Sequence, residues 1–310
     1  MEIVRGLHNL KTRHRGCVLA IGNFDGVHLG HQALLAQLRR QSQRQGLPAV
    51  VQSFRPGAVA YFDPDNAPPA VLPIRDTVRV LEAEGVSRWS CLRFDGRFAR
   101  FEAEDYIQQV LIDGLGVAAV IVGHDFRFGA RRAGDVAMLQ AAGRRVGFAV
   151  DTVDAVLDAD GDRVSSTRVR ACLAEGDVVG AQHLLGRSYA LSGIVRSGQQ
   201  LGRELGTATA NLAFRERLAL RHGVYAVRMR CAGQEWAGVA NFGTRPTVEG
   251  RHPVLEAHAL GDTGALYGRE LMVHFETFIR AEQRFDSLDA LSRQIRADVK
   301  TARAHFGLSA

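Results

Sequence analysis

At 310 residues, 46% hydrophobic and 23% charged, the chain has an ordinary globular composition and enough length for two cores. It has no apolar run of the roughly 18 residues a membrane span needs, and residues 1–15 lack a signal peptide's apolar core. No membrane partner is therefore expected, and a cytoplasmic location is. A formal charge of +6 would suit a polyanion, but the arginines are dispersed and the only lysines are Lys11 and Lys300. Without a basic run or an aromatic RNA motif, small phosphorylated substrates fit better than nucleic acid. The lysine shortage also excludes G-x-x-x-x-G-K-[ST], so any ATP is held without a P-loop. Cys17, Cys91, Cys172 and Cys231 have neither disulfide nor zinc spacing and read as small buried hydrophobes.

In chain order, apolar runs at 17–21, 49–54, 90–94, 117–122 and 148–153 read as buried strands. Helical patterns lie between them at 31–44, 76–84, 102–115 and 135–142. This alternation predicts a Rossmann-like parallel sheet with helices on both faces and ligands at the carboxyl ends of its strands. After residue 185 the runs become short, β-rich and punctuated by glycine, at 189–195, 224–229, 235–240, 254–259 and 271–278. They predict an antiparallel barrel or sandwich. A final helix capped by Ser287 carries an apolar stripe of Leu288, Leu291, Ile295 and Val299. Two domains, 1–186 and 187–310, follow.

Three segments of the first half carry chemistry. Gly22-Asn-Phe-Asp-Gly-Val-His-Leu-Gly-His31 leaves the first strand and opens the first helix. Its glycines allow a tight turn and close ligand approach, and the helix start favours an anion. His28 and His31 flank Gly30, where both could donate to charge developing on an α-phosphate; two surface histidines beside a cap are the plainer alternative. In Val164-Ser-Ser-Thr-Arg-Val-Arg170, Ser165, Ser166 and Thr167 suit a helix cap and Arg168 a phosphate. Taken alone, that segment reads as a cap more readily than as a site. Gly123-His-Asp-Phe-Arg-Phe-Gly129 offers Asp125, Phe126 and Phe128 to a ring, although both phenylalanines would serve equally as core.

In the second half, a long loop from Gly193 to Asn211, punctuated by Gly198, Gly202 and Gly206, lets backbone amides approach phosphates, or is simply surface. Thr209 and Asn211 alternate and could turn oxygens toward Mg²⁺. Glu256 lies in a β-like run, where the pattern alone favours solvent.

In their order and spacing these segments resemble the prokaryotic bifunctional riboflavin kinase/FAD synthetases over essentially the whole chain. The first three resemble the adenylyltransferase module, whose H-x-G-H signature is shared with a wider nucleotidyltransferase superfamily. G-V-Y-A, V-A-N-F-G-T-R-P-T-V, L-E-A-H and L-Y-G-R resemble the kinase module. The resemblance implies Mg²⁺- and ATP-dependent phosphorylation of riboflavin to FMN, then attack of the FMN phosphate on the α-phosphorus of ATP to give FAD and pyrophosphate. It makes His28, His31 and Glu256 catalytic. Gly22, Asn23, Phe24, Asp25, Gly30, Ser166, Thr167, Arg168, Gly193, Gly202 and Gly206 would hold nucleotide. Asp125, Phe126, Phe128 and Asn241 would hold flavin, and Thr209 and Asn211 the metal.

The chain departs from the family pattern in places. Arg55-Pro56-Gly57-Ala58 puts a cation where relatives carry a carboxylate. Thr207 and Ala208 replace an aromatic and a proline, and Ser197 a histidine. Two other readings remain open: an adenylyltransferase with another acceptor, and a FAD synthetase whose second half is a weakened flavin-binding module.

Overall fold

The structure is a computed structural model and describes residues 1–196, 209–247 and 250–309. Two compact units emerge: Met1–Pro68 with Thr77–Val164, and Pro69–Asp76 with Ser165–Ala310.

The strands of the first unit are β1 (Glu2–Arg5), β2 (Cys17–Ile21), β3 (Ala49–Phe54), β4 (Arg88–Leu92), β5 (Val117–Gly123), the short hairpin β6 (Arg127–Phe128) and β7 (Gly134–Asp135), and β8 (Ala149–Val153). Six of them form a wholly parallel sheet in the order β1-β4-β3-β2-β5-β8. All five residues of β2 are buried, as a strand covered on both faces must be. Cys17, Leu19 and Ile21 join a core with Tyr106, Ile107, Val110, Leu111, Val120 and Val122. Strand alternation turns Val18 and Ala20 to the other face. The helices are α1 (Leu29–Gln45), α2 (Ala58–Phe62), α3 (Ile74–Ala83), α4 (Ala103–Asp105), which runs into a π-helical stretch Tyr106–Leu115, and α5 (Val136–Val146). Neither β1 nor α2 is anticipated by the sequence patterns. The chain moves from β2 to β3 on one side of the sheet and later returns to β5 on the other. This makes the carboxyl ends of β2 and β5 the topological switch point, the usual ligand crevice of such sheets.

The second unit begins with α6 (Ser166–Glu175) and α7 (Val178–Leu185). Strands β9 (Ala190–Ile194), β10 (Thr209–Ala213), β11 (Gly223–Cys231), β12 (Gln234–Thr247), β13 (Gly250–Ala259) and β14 (Glu270–Ala281) pair antiparallel in the order β10-β13-β12-β11-β14-β9. The two outer strands also meet. Arg196 N–H donates to Asn211 O at 2.9 Å, and the space beside Gly193 is filled by Leu212, so the sheet nearly closes into a barrel. Leu191, Leu212, Tyr225, Phe242, Leu255 and Phe275 are fully buried. The start of β10 corrects the expectation of a loop running to Asn211.

The segment Pro69–Asp76 is stitched into this second unit. Tyr189 donates its hydroxyl to Val71 O at 3.0 Å, Arg170 Nε donates to Pro69 O at 2.9 Å, and Ile74 N–H donates to Glu216 at 3.1 Å. The buried Asp76 carboxylate accepts from Ser192 N–H at 3.0 Å and from the Ser192 hydroxyl.

The last helix, α8 (Leu288–His305), is capped by Ser287, whose Oγ accepts from Ala290 N–H at 3.2 Å. Its expected stripe holds in part: Leu291, Ile295 and Val299 are half-buried, Leu288 is 70% exposed, and the fully buried positions are Asp298 and Ala302. Asp298 is buried because Arg280 meets it through Nε at 2.9 Å and Nη2 at 2.7 Å. The cysteine expectation holds for Cys17 and Cys231, whereas Cys91 and Cys172 are half-buried. Among the described residues no helix is long and apolar enough to cross a membrane.

Candidate active sites

Gly22–Gly26 caps the carboxyl end of β2, and His28 is the N-cap of α1. The turn is tight: Phe24 and Val27 take positive φ values of 52° and 44°, a conformation non-glycine residues hold only when their surroundings fix it. Phe24 is fully buried, and its ring lies 5.2 Å from that of His31. It thus forms a floor under the histidine. Asn23 is exposed, and Gly22 and Asp25 are half-buried.

The H-x-G-H spacing has a steric cause. A Cβ at Gly30 would come within 3.0 Å of His28 Cε1 and 3.1 Å of its Nδ1. Glycine leaves room for the His28 ring to fold over the helix start and stack on His31, with centroids 3.8 Å apart and planes at 23°. His28 is buried and His31 half-buried. The two imidazoles therefore sit together at the start of a helix, the arrangement an anion site needs.

At the neighbouring strand end, Asp125 follows β5 and pairs with Arg163 at 2.7 Å. The hydrogen bond from Arg163 is the main reason its carboxyl is held below the usual carboxylate range; partial burial opposes the shift. Phe126 and Phe128 stack with centroids 5.6 Å apart and planes at 15°. Phe128, which is buried, leads through Tyr106 and Phe98 to Phe54 and Phe94. Tyr61 and Phe62 of α2 extend the series against Phe94 at 5.5 Å and 5.7 Å. This aromatic row spans the carboxyl ends of β3, β4 and β5, and Phe62 at its end is 68% exposed. The sequence reading identifies only Phe126 and Phe128. The available signal was a phenylalanine or tyrosine after each of three consecutive strands. Arg55, the departing cation, lies over the Trp89 ring at 5.5 Å.

In the second unit, Ser165 caps α6, its Oγ accepting from Arg168 N–H at 3.3 Å. Ser166, Thr167 and Arg168 form the first turn of that helix. On the barrel, the register sets Asn211 opposite Glu256 and Glu256 opposite Asn241. Alternation confirms that these three share a face with Thr209, because Ala210, Leu212, Leu255, Ala257, Ala240 and Phe242 are all buried on the other. A carboxylate between two amides is thus aligned across three neighbouring strands. Asn211 Oδ1 is buried and has no hydrogen-bond partner among the described residues, an acceptor suited to a cation. Gly193 lies in β9; Gly202 and Gly206, with Ser197, Gly198, Thr207 and Ala208, fall outside the described residues.

Comparison with known proteins decides the family. The FAD synthetase family matches residues 10–168, and the riboflavin kinase family matches residues 185–306. The bifunctional riboflavin kinase/FMN adenylyltransferase of Pseudomonas fluorescens is 48% identical, over 98% of this chain and 97% of its own length. The chain belongs to the bifunctional riboflavin kinase/FMN adenylyltransferase family. The Escherichia coli K12 member is 44% identical over 100% of this chain and 99% of its own. A crystal structure titled macrolide-efflux protein, from Streptococcus pneumoniae, superposes with a TM-score of 0.81 at 28% identity, covering 98% of this chain and 99% of that one. The last likeness extends to the order of both folds in one chain.

Proposed function

We infer that this enzyme phosphorylates riboflavin to FMN with ATP and then joins FMN to the adenylyl group of a second ATP, giving FAD and pyrophosphate. Both family matches lie in one chain that spans nearly the whole length of its bifunctional relatives, which favours this over an adenylyltransferase with another acceptor. The observation that carries the kinase half is the Asn211–Glu256–Asn241 row, which a decayed flavin-binding module would have no reason to keep.

We propose residues 1–186 as the adenylyltransferase and 187–310 as the kinase. In the first, an FMN phosphate oxygen attacks the α-phosphorus of ATP, and the bond to pyrophosphate breaks. His28 and His31 donate to the charge that develops, a contribution that grows in the transition state. Gly22, Asn23, Asp25 and Gly30 present backbone or side-chain polar groups to the nucleotide, with Phe24 supporting His31. Ser166, Thr167 and Arg168 bind triphosphate oxygens. Asp125, Phe126 and Phe128, extended by Tyr61 and Phe62, take the flavin ring, for which a row of aromatic faces is suited.

In the kinase, Glu256 removes the proton from the terminal ribityl hydroxyl as that oxygen attacks the γ-phosphorus and ADP leaves. Asn241 orients the flavin side; Gly193, Gly202 and Gly206 let the backbone approach the nucleotide. Thr209 and Asn211 would hold Mg²⁺, and the buried Asn211 Oδ1, without a partner among the described residues, suits that oxygen-seeking ion. When bound, the ion neutralises phosphate charge. A cytoplasmic location suits an enzyme of these soluble substrates. Incubation with riboflavin, ATP and Mg²⁺, followed by chromatographic separation of riboflavin, FMN and FAD, tests the reading; failure to form FMN would refute it.

A further inference from the structure

Beside the barrel, within the second unit, is a cavity of ≈ 710 Å³, a volume suited to a small molecule. It lies where the segment Pro69–Asp76 runs along β9 and the end of β10. Its lining contains neither Thr209, Asn211, Asn241 nor Glu256; of the residues given roles above, only Gly193 borders it.

The chemistry of the lining is one-sided. Arg75, Arg196 and Arg215 all border the cavity, and His252 adds a fourth nitrogen donor group. Among the described residues, none of these three guanidinium groups forms an ion pair or a hydrogen bond. The one carboxylate in the lining, Glu216, accepts the backbone N–H of Ile74 at 3.1 Å and so is tied to the segment that carries Arg75. Three like charges around one space repel one another, and an anion with several charged oxygens would relieve that repulsion. Guanidinium forks match phosphate oxygens bidentately, and three of them suit more than one phosphate.

We propose that this cavity binds a small molecule through a pyrophosphoryl group, as a site additional to the two catalytic ones. Arg75, Arg196 and Arg215 contact the phosphate oxygens. The bifunctional chain supplies Arg75 from a segment far from the barrel in sequence, so the site forms only when that segment is in place.

Calorimetric titration of the full chain, without Mg²⁺, tests this with inorganic pyrophosphate, ADP and FMN in separate arms. Pyrophosphate bound at the adenylyltransferase is common to wild type and variants and cancels in the comparison. In Arg75→Ser/Arg215→Ser the additional pyrophosphate site should weaken at least about tenfold, a loss that fits removal of charge-assisted bonds. Riboflavin phosphorylation should keep its kcat and its KM for ATP. Arg196→Gln, a milder change, should weaken the same site with an unchanged melting temperature. Equal loss of ADP binding would identify the source as a nucleotide tail; loss for pyrophosphate alone would identify the free anion. Loss of FMN binding with pyrophosphate unaffected would overturn the diphosphate assignment. Identical pyrophosphate isotherms in wild type and both variants would overturn the site. A raised KM for ATP in the kinase reaction would overturn its independence.

Discussion

The imidazole rings of His28 and His31 stack 3.8 Å apart because Gly30 leaves room for the first to fold back over the start of α1. Gly30→Ala should therefore damage the site without touching either histidine. A methyl group 3.0 Å from His28 Cε1 crowds the ring, which must give by a few tenths of an ångström. FAD formation from FMN is expected to fall by about 10²–10³, comparable to His28→Ala or His31→Ala, as for loss of a transition-state donor. FMN formation should persist in all three. Full FAD synthesis in the Gly30→Ala enzyme would mean the stacked arrangement is dispensable.

Glu256→Gln keeps the shape of the side chain between Asn211 and Asn241 but removes the base. Conversion of riboflavin to FMN should drop by about 10²–10⁴, while FMN supplied directly still becomes FAD. Quenched time courses with each substrate separate the two effects. Unimpaired phosphorylation would return Glu256 to the role of a solvent-facing carboxylate.

The Arg163–Asp125 pair gives a pH dependence of known sign. Because the folded carboxyl is held below its usual range, the pair contributes stability that is present above the unfolded value of about 3.9 and is lost as pH falls through the folded value. Both side chains are about half exposed, so the contribution is at most about 1 kcal/mol. Arg163→Gln should raise the Asp125 pKa, visible as a shifted carboxyl titration by NMR, and raise the KM for FMN more than it lowers kcat. An unmoved titration would show that Arg163 does not set the charge of Asp125.

Arg280 and Asp298 form the pair that fixes α8 to the barrel, with Gln294 adding a bond to Asp298 at 2.9 Å. Asp298→Ala strands a guanidinium whose side chain is only 17% exposed. Urea unfolding should show a loss of about 3 kcal/mol. Adding Arg280→Met should recover most of it, since the cost lies in the unpaired charge. Equal instability of the double variant would contradict that account.

The parallel sheet was legible because its strands are short, mostly apolar runs with turn residues at their ends, and those at Cys17–Ile21 and Ala49–Phe54 coincide with the observed strands to the residue. Glu2–Arg5 escaped because an edge strand of four residues with a charge at each end has no such run. Thr209–Ala213 escaped because Thr-Ala-Asn-Leu-Ala alternates small and polar residues, which carry little β signal; its identity comes from pairing with β13. H-x-G-H was legible because four neighbouring residues make it. The aromatic row was not, because Phe54, Tyr61, Phe94 and Phe126 come from separate segments and line up only once the sheet is assembled, with β4 beside β3 and β2 between β3 and β5. Leu288 was misplaced because helical spacing gives the direction of a side chain but not whether anything lies opposite it.

The stitching of Pro69–Asp76 into the second unit means that genetic order and structural order differ in this enzyme. A gene split after residue 186 would encode a kinase fragment lacking the peptide that Ser192, Tyr189 and Glu216 hold. The adenylyltransferase fragment would carry that peptide as an internal epitope. Coexpressed halves would then have a built-in reason to find each other, and a split version of the enzyme would report complementation rather than the sum of two independent parts.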